Sequence, residues 1–306
     1  MYKIRRYLIF TFVFAWTIGI IGAHDHNIGS AGGELSFSLS LAFCMFMPTL
    51  GAFLCGADIP GMGWRPRFRQ NIRLYLFAWL APTFFQLAGA ALYFLIFRED
   101  FDLSGGYLAI YRPAEYADLI HSGKSYIGYV AKEIISPLFS IYFPTSVILG
   151  LGEEIGWRGF LFPELDSRFG RTKAVLLGGV IHGAWHFPVM LLAGYEYGKD
   201  YIGAPVLGLF AFCVFTVMTG IISYHLYEKS TSIWLPAFYH AAVNSVFNPY
   251  ILGAYKHAER RIFGPVDIGL ISVIPALVFA VFLLRADNQR EREELGLLTE
   301  QNAELQ

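Results

Sequence analysis

Three short runs of this sequence place ionisable side chains at spacings that suit hydrolytic chemistry. The run Gly152-Glu153-Glu154-Ile155-Gly156-Trp157-Arg158-Gly159 sets two adjacent carboxylates ahead of a guanidinium. On a helix, Glu154 and Arg158 are i,i+4 neighbours that pair on one face, and Glu153 is rotated away by about 100°. This predicts that Glu154 and Arg158 brace the helix while Glu153 points into a site. The run His182-Gly183-Ala184-Trp185-His186-Phe187-Pro188 sets two histidines on one helical face. Their spacing equals that of the zinc-binding pair of metalloproteases, without the adjacent glutamate of that motif. In His240-Ala241-Ala242-Val243-Asn244, an imidazole and a neutral amide again share a face, and an amide donor suits a developing oxyanion. Each run also has a bland reading: an interfacial salt bridge with a snorkelling arginine, satisfied core histidines, a polar pair joining helices.

Peptide hydrolysis needs an activated water, a proton donor for the leaving amine and stabilisation of the tetrahedral oxyanion. A serine nucleophile is not suggested, because no Gly-x-Ser-x-Gly elbow occurs. Cys44, Cys55 and Cys213 stand in apolar stretches without paired spacing, which argues for packing rather than disulfides, a cysteine zinc site or a reactive thiol.

The elements that must position these residues are membrane helices. Of 306 residues, 55% are hydrophobic and 15% charged, against about 25% charged in a soluble domain; mean hydropathy is +0.47. The net charge of −1 gives no reason to expect a nucleic-acid partner. Taking about 20 apolar residues per span, roughly eight spans are expected: 7–23, 35–57, 74–97, 134–152, 174–194, 205–227, 232–252 and 265–284. The first is read as a retained helix rather than a signal peptide, because its apolar run is long. Placing Lys3, Arg5, Arg6, the arginines at 65, 67, 69 and 73, and most other basic residues on one side puts both termini in the cytoplasm. The longest loop, 98–133, carries a possible short surface helix from Tyr111 to Ile120. Charged groups at bilayer depth are costly and mark function. At 1.5 Å per residue, His182 and His240 each lie about 13 Å from the inner boundary, so one cavity open to the cytoplasm can serve all three runs.

Glu-Glu-x-x-x-Arg, an apolar helix with a histidine before a proline, and His-x-x-x-Asn, in that order, resemble the CAAX-protease and bacteriocin-processing family. These intramembrane glutamic endopeptidases include prenyl-protein CAAX proteases and bacterial abortive-infection-type proteins. The resemblance spans about 100 residues, from Gly152 to Asn248. It implies an all-α polytopic bundle over 1–284 with the motif core at 152–248, followed by a charged cytoplasmic helical tail at 285–306. It implies Glu153 as the base that activates water with His186 as partner, and His240 and Asn244 as the oxyanion pair. Glu154 and Arg158 match the remaining motif positions and are read as supporting. His182 departs from the pattern, which usually has a bulky apolar or aromatic residue there; it is left as a supporting residue that is structural, tunes His186 or helps bind a metal. The expected substrate is a peptide or membrane-associated protein, possibly prenylated, at the bacterial cytoplasmic membrane, with no cofactor.

Three other readings stay open. A zinc metalloprotease would draw ligands from Glu153, His182, His186 and His240, since three protein ligands and a water complete a catalytic zinc site. A proton-coupled transporter would use the same groups as a relay, although no inverted repeat is evident. A catalytically idle scaffold would bind a peptide without cleaving it.

Overall fold

The computed structural model describes residues 1–139, 143–253 and 256–304. The described residues are helical with no β-sheet; an isolated bridge joins Phe101 and Gly253. In chain order the helices are α1 (Tyr2–Asn27), α2 (Gly33–Cys44), α3 (Met47–Leu54), α4 (Phe68–Ile96), α5 (Gly106–Tyr111), α6 (Pro113–His121), α7 (Tyr126–Ile135), α8 (Phe143–Gly156), α9 (Phe162–Phe169), α10 (Arg171–Trp185), α11 (Phe187–Ala193), α12 (Val206–Ser230), α13 (Trp234–Asn244) and α14 (Ile274–Glu304). The short helix expected within 111–120 is α6.

Five of these segments are long and apolar enough to cross a bilayer: α1, α2 with α3, α4, α10 with α11, and α12. A sixth is counted if the bent pair 126–139 and 144–169 forms one span. The chain is thus the multi-pass membrane helix bundle expected. Of the eight expected segments, 232–252 is helical only as far as Asn244, since Asn248 and Pro249 follow and favour turns. In 265–284 turns fill the region up to Val273, and helix begins at Ile274, from which it runs on through the charged segment.

Breaks and close approaches shape the centre of the bundle. Pro188 cannot donate an amide hydrogen, so α10 ends at Trp185 and α11 restarts at Phe187, with His186 at the junction. One π-helical turn, Trp157–Leu161, follows α8 directly; such turns collect at functional sites. Small residues let helices touch where lipid gives no hydrophobic drive between them. A Cβ on Gly179 of α10 would lie 2.5 Å from Val217 Cα of α12, and one on Gly150 of α8 would lie 3.3 Å from His240 Cβ of α13. The principal apolar core joins α1, α4, α10, α12 and α13 around the fully buried Trp157, Phe162, Ile222 and Leu235.

The charged segment does not stand free of the bundle. Asp287 of α14 accepts from His225 Nδ1 of α12 at 2.7 Å, and Arg171 of α10 reaches Glu228 at 2.7 Å, Asp287 at 3.8 Å and Glu291 at 3.5 Å.

Candidate active site

The C-terminal turn of α8 carries both glutamates inward: Glu153 is 3% exposed and Glu154 fully buried. Burying charge is expensive unless it is paired and hydrogen-bonded, and each carboxylate has its own partners. Glu154 Oε1 accepts from Arg158 Nη1 at 2.9 Å, the i,i+4 brace expected from the spacing. The same oxygen lies 2.8 Å from His240 Nδ1. Arg158 also lies over the Phe162 ring at 4.9 Å, which holds the guanidinium from a second side.

Glu153 Oε2 accepts from Trp157 Nε1 at 3.1 Å and lies 3.0 Å from His182 Nε2. Its other oxygen, Oε1, is 3.9 Å from His240 Nε2. His240 therefore stands between the two carboxylates, one imidazole nitrogen toward each. The Trp157 ring lies against the His182 ring with centroids 4.9 Å apart, so the tryptophan both donates to Glu153 and backs its histidine neighbour.

His182, rather than His186, is the histidine in hydrogen-bond contact with Glu153. His186 Nδ1 lies 3.2 Å from the His182 carbonyl, which places the hydrogen on Nδ1 and leaves Nε2 as the free nitrogen. His186 caps α10 just before Phe187 and Pro188. The His186 ring is held edge-on by Trp185 and Phe212 and stacks parallel to Tyr195.

Glu153, Glu154, Arg158, His182, His186, His240 and Asn244 all line one cavity of about 370 Å³. The three runs converge as their depths along the chain suggested. Asn244, the last residue of α13, is exposed to this cavity one turn beyond His240. Among the described residues no group of three His, Cys, Asp or Glu side chains is arranged to hold a metal. Residues with no assigned part in the sequence reading also reach the site. Trp157 was accessible to the same i,i+4 rule that paired Glu154 with Arg158. Tyr195, Glu196 and Asp267 line the cavity from segments between helices, where no periodicity announces them.

The fold and site define a multi-pass membrane protein with a buried glutamate–histidine cavity. The profile described as type II CAAX prenyl endopeptidase Rce1-like matches residues 135–246, which hold every residue of the three motifs. Over 93 residues the chain is 33% identical to CAAX prenyl protease 2 of Methanococcus maripaludis, covering 30% of this chain and 34% of that protein. The alignment thus spans about a third of the relative's length. The motif-bearing segment is thus similar to the CAAX prenyl endopeptidases, as its motifs led one to expect.

Proposed function

We propose that this chain is an intramembrane endopeptidase in which Glu153 activates water against a peptide bond. The observation that carries the reading is the asymmetry of the Glu153 carboxylate. Trp157 and His182 pin Oε2, and Oε1 accepts no hydrogen bond among the described residues. A carboxylate held by one oxygen and open at the other is oriented to take a proton from water and return it to the leaving amine.

His182 positions Glu153. His186, with Nε2 free, is the second group that can hold the attacking water. His240 and Asn244, which line the same cavity one helical turn apart, are the groups assigned to receive the carbonyl oxygen as it gains charge. To donate there, His240 needs a proton on Nε2 as well as on Nδ1, and Glu154 at 2.8 Å with Glu153 at 3.9 Å supplies the negative surroundings that doubly protonated form requires. Glu154 and Arg158 position His240 and do not touch the reacting atoms. The substrate is a peptide or a membrane-associated protein segment, a prenylated one included, reached from the cytoplasmic side.

The test compares peptide termini in membranes holding equal amounts of the wild-type protein and Glu153→Gln. Termini that vanish with the substitution identify a protease and its substrates together; identical termini in a strain where the protein has a phenotype would overturn the reading. Cleavage that survives a strong zinc chelator separates this chemistry from the zinc alternative.

A further inference from the structure

Two carboxylates outside the catalytic motifs, Glu196 and Asp267, line the same cavity as Glu153. They come from segments far apart in the chain that are fastened together. Tyr197 donates its hydroxyl to the Ile268 carbonyl at 2.7 Å, tying the 195–197 segment to the 266–268 turn. Gln86, fully buried in α4, holds that turn from behind: its Nε2 donates to the Pro265 carbonyl and its Oε1 accepts from the Asp267 amide, each at 3.0 Å. A buried amide spent on both sides of one turn fixes where Asp267 stands. Glu196 is fixed through its neighbour, because Tyr195 stacks on His186 with centroids 6.2 Å apart and the chain advances only about 3.8 Å per residue. Glu196 has φ 71, between Gly194 at φ 70 and Gly198 at φ 73, so a glutamate occupies a left-handed position of the kind glycine fills in the flanking turns.

The charges around the cavity are unbalanced. Among the described residues its walls hold Glu153, Glu154, Glu196 and Asp267 against Arg158 and, when doubly protonated, His240, and both of these are already engaged by Glu154. Neither Glu196 nor Asp267 has an ion-pair partner within 4.0 Å among the described residues. Among these residues no unengaged lysine or arginine lines the walls to receive a substrate's C-terminal carboxylate. Two acids open to the cavity offer the opposite complement.

We propose that Glu196 and Asp267 form a specificity subsite for a lysine or arginine side chain near the scissile bond, so that the protein favours internal bonds in basic peptide segments. The proposal rests on the endopeptidase reading of the same cavity. The cation would sit between the two carboxylates with Tyr195 beside it, and hydrolysis would proceed at Glu153 as above. An acidic residue at that substrate position would face like charge in a site of low dielectric and be rejected.

The experiment uses the full chain in lipid nanodiscs and a fluorogenic peptide series identical except for lysine, norleucine or glutamate at each position flanking the cleaved bond. The expected wild-type result is a preference for lysine over norleucine of about tenfold or more in kcat/KM at one position. Glu196→Gln and Asp267→Asn each shrink that ratio, and Asp267→Lys turns it toward glutamate. Fluorescence anisotropy of the uncleaved peptides on Glu153→Gln gives a readout without catalysis. Cleavage with equal lysine and norleucine ratios in wild type and both variants would overturn the subsite and leave the protease intact. Lysine-selective binding that depends on Glu196 and Asp267, without cleavage by the wild type, would sustain the subsite and overturn the protease. Absence of selectivity in both readouts overturns the subsite.

Discussion

His182 Nε2 and Glu153 Oε2 are in direct contact at 3.0 Å, across 29 residues of sequence and between two helices. The contact orients the carboxylate on which hydrolysis is argued to depend. Glu153→Gln keeps an oxygen for Trp157 but removes the base, so kcat should fall by about 10²–10⁴-fold while the melting temperature stays nearly unchanged. His182→Ala should lower kcat with little change in KM, since it frees the carboxylate to turn. His186→Ala should lower kcat without disturbing Glu153, because His186 bonds to a backbone carbonyl. Steady-state kinetics on one purified substrate measures all three, and full activity in any variant removes that residue from its assigned part.

Arg158 is a matter of stability first. Its side chain is 1% exposed and its partner Glu154 fully buried. Arg158→Ala leaves a carboxylate deep in the bundle with His240 as its remaining partner, a loss of about 3–5 kcal/mol for a broken buried pair. Thermal unfolding in detergent should show the drop. Glu154→Gln leaves the buried Arg158 guanidinium without its carboxylate and should destabilise as well, keeping only a neutral hydrogen bond to it. If Arg158→Ala melts with the wild type, the brace carries none of that weight.

Gly150 sets the distance between α8 and α13. A Cβ there would lie 3.1 Å from the Ala237 carbonyl oxygen and 3.3 Å from His240 Cβ, so Gly150→Ala forces the helices apart by a few tenths of an ångström. His240 moves with α13, away from the carboxylates. Since about 1 Å of misplacement can cost 10²-fold in rate, roughly tenfold in kcat is expected, with KM nearly constant. A fall in KM affinity with unchanged kcat would place the strain elsewhere.

The three motifs were legible because buried ionisable residues at helical spacing are rare in an apolar chain; Glu154 and Arg158 pair as their i,i+4 spacing requires. The partner of Glu153 was less legible. Spacing put His182 and His186 on one face, and only the packing of α10 against α8 decides which one meets the glutamate. Hydropathy located the membrane bundle but not the turns at Asn248-Pro249 and Gly264-Pro265 that interrupt 232–284, because it registers apolar character alone. Glu196 and Asp267 lay beyond reach, since a residue between helices carries no period, and its neighbours across the chain are set by packing alone.

Arg171 pins α14 to the bundle. It meets Glu228 of α12 and Asp287 and Glu291 of α14, and its side chain is 16% exposed. Arg171→Ala should free the charged half of α14 while His225 still holds Asp287, and the double variant with His225→Ala should free it further. Limited proteolysis is expected to cut sooner beyond residue 287, with the double variant fastest. Equal digestion rates would mean that apolar packing from Ile274 onward holds the helix unaided.

Asp267 gives the lysine preference a pH signature. The residue lies in the turn before α14, outside the membrane-spanning helices. Burial, and then the charge of Glu196, push its carboxyl up to about 7. A raised carboxyl is neutral below its own pKa and charged above it, so the attraction for a cation is present above about pH 7 and lost as pH falls through it. The ratio of KM for the norleucine peptide to KM for the lysine peptide should therefore rise as pH increases from 6 to 8, while lysine itself stays protonated throughout. The titratable groups facing this pair are Tyr195, Tyr197, Tyr239 and Tyr250, and taking the ratio of two peptides cancels their effect on the common chemistry. Asp267→Asn should flatten the profile and Glu196→Gln should shift it downward, because removing one charge lets the other carboxyl ionise more readily. A ratio that does not change between pH 6 and 8 in the wild type would mean that the two carboxylates do not meet the substrate's charge.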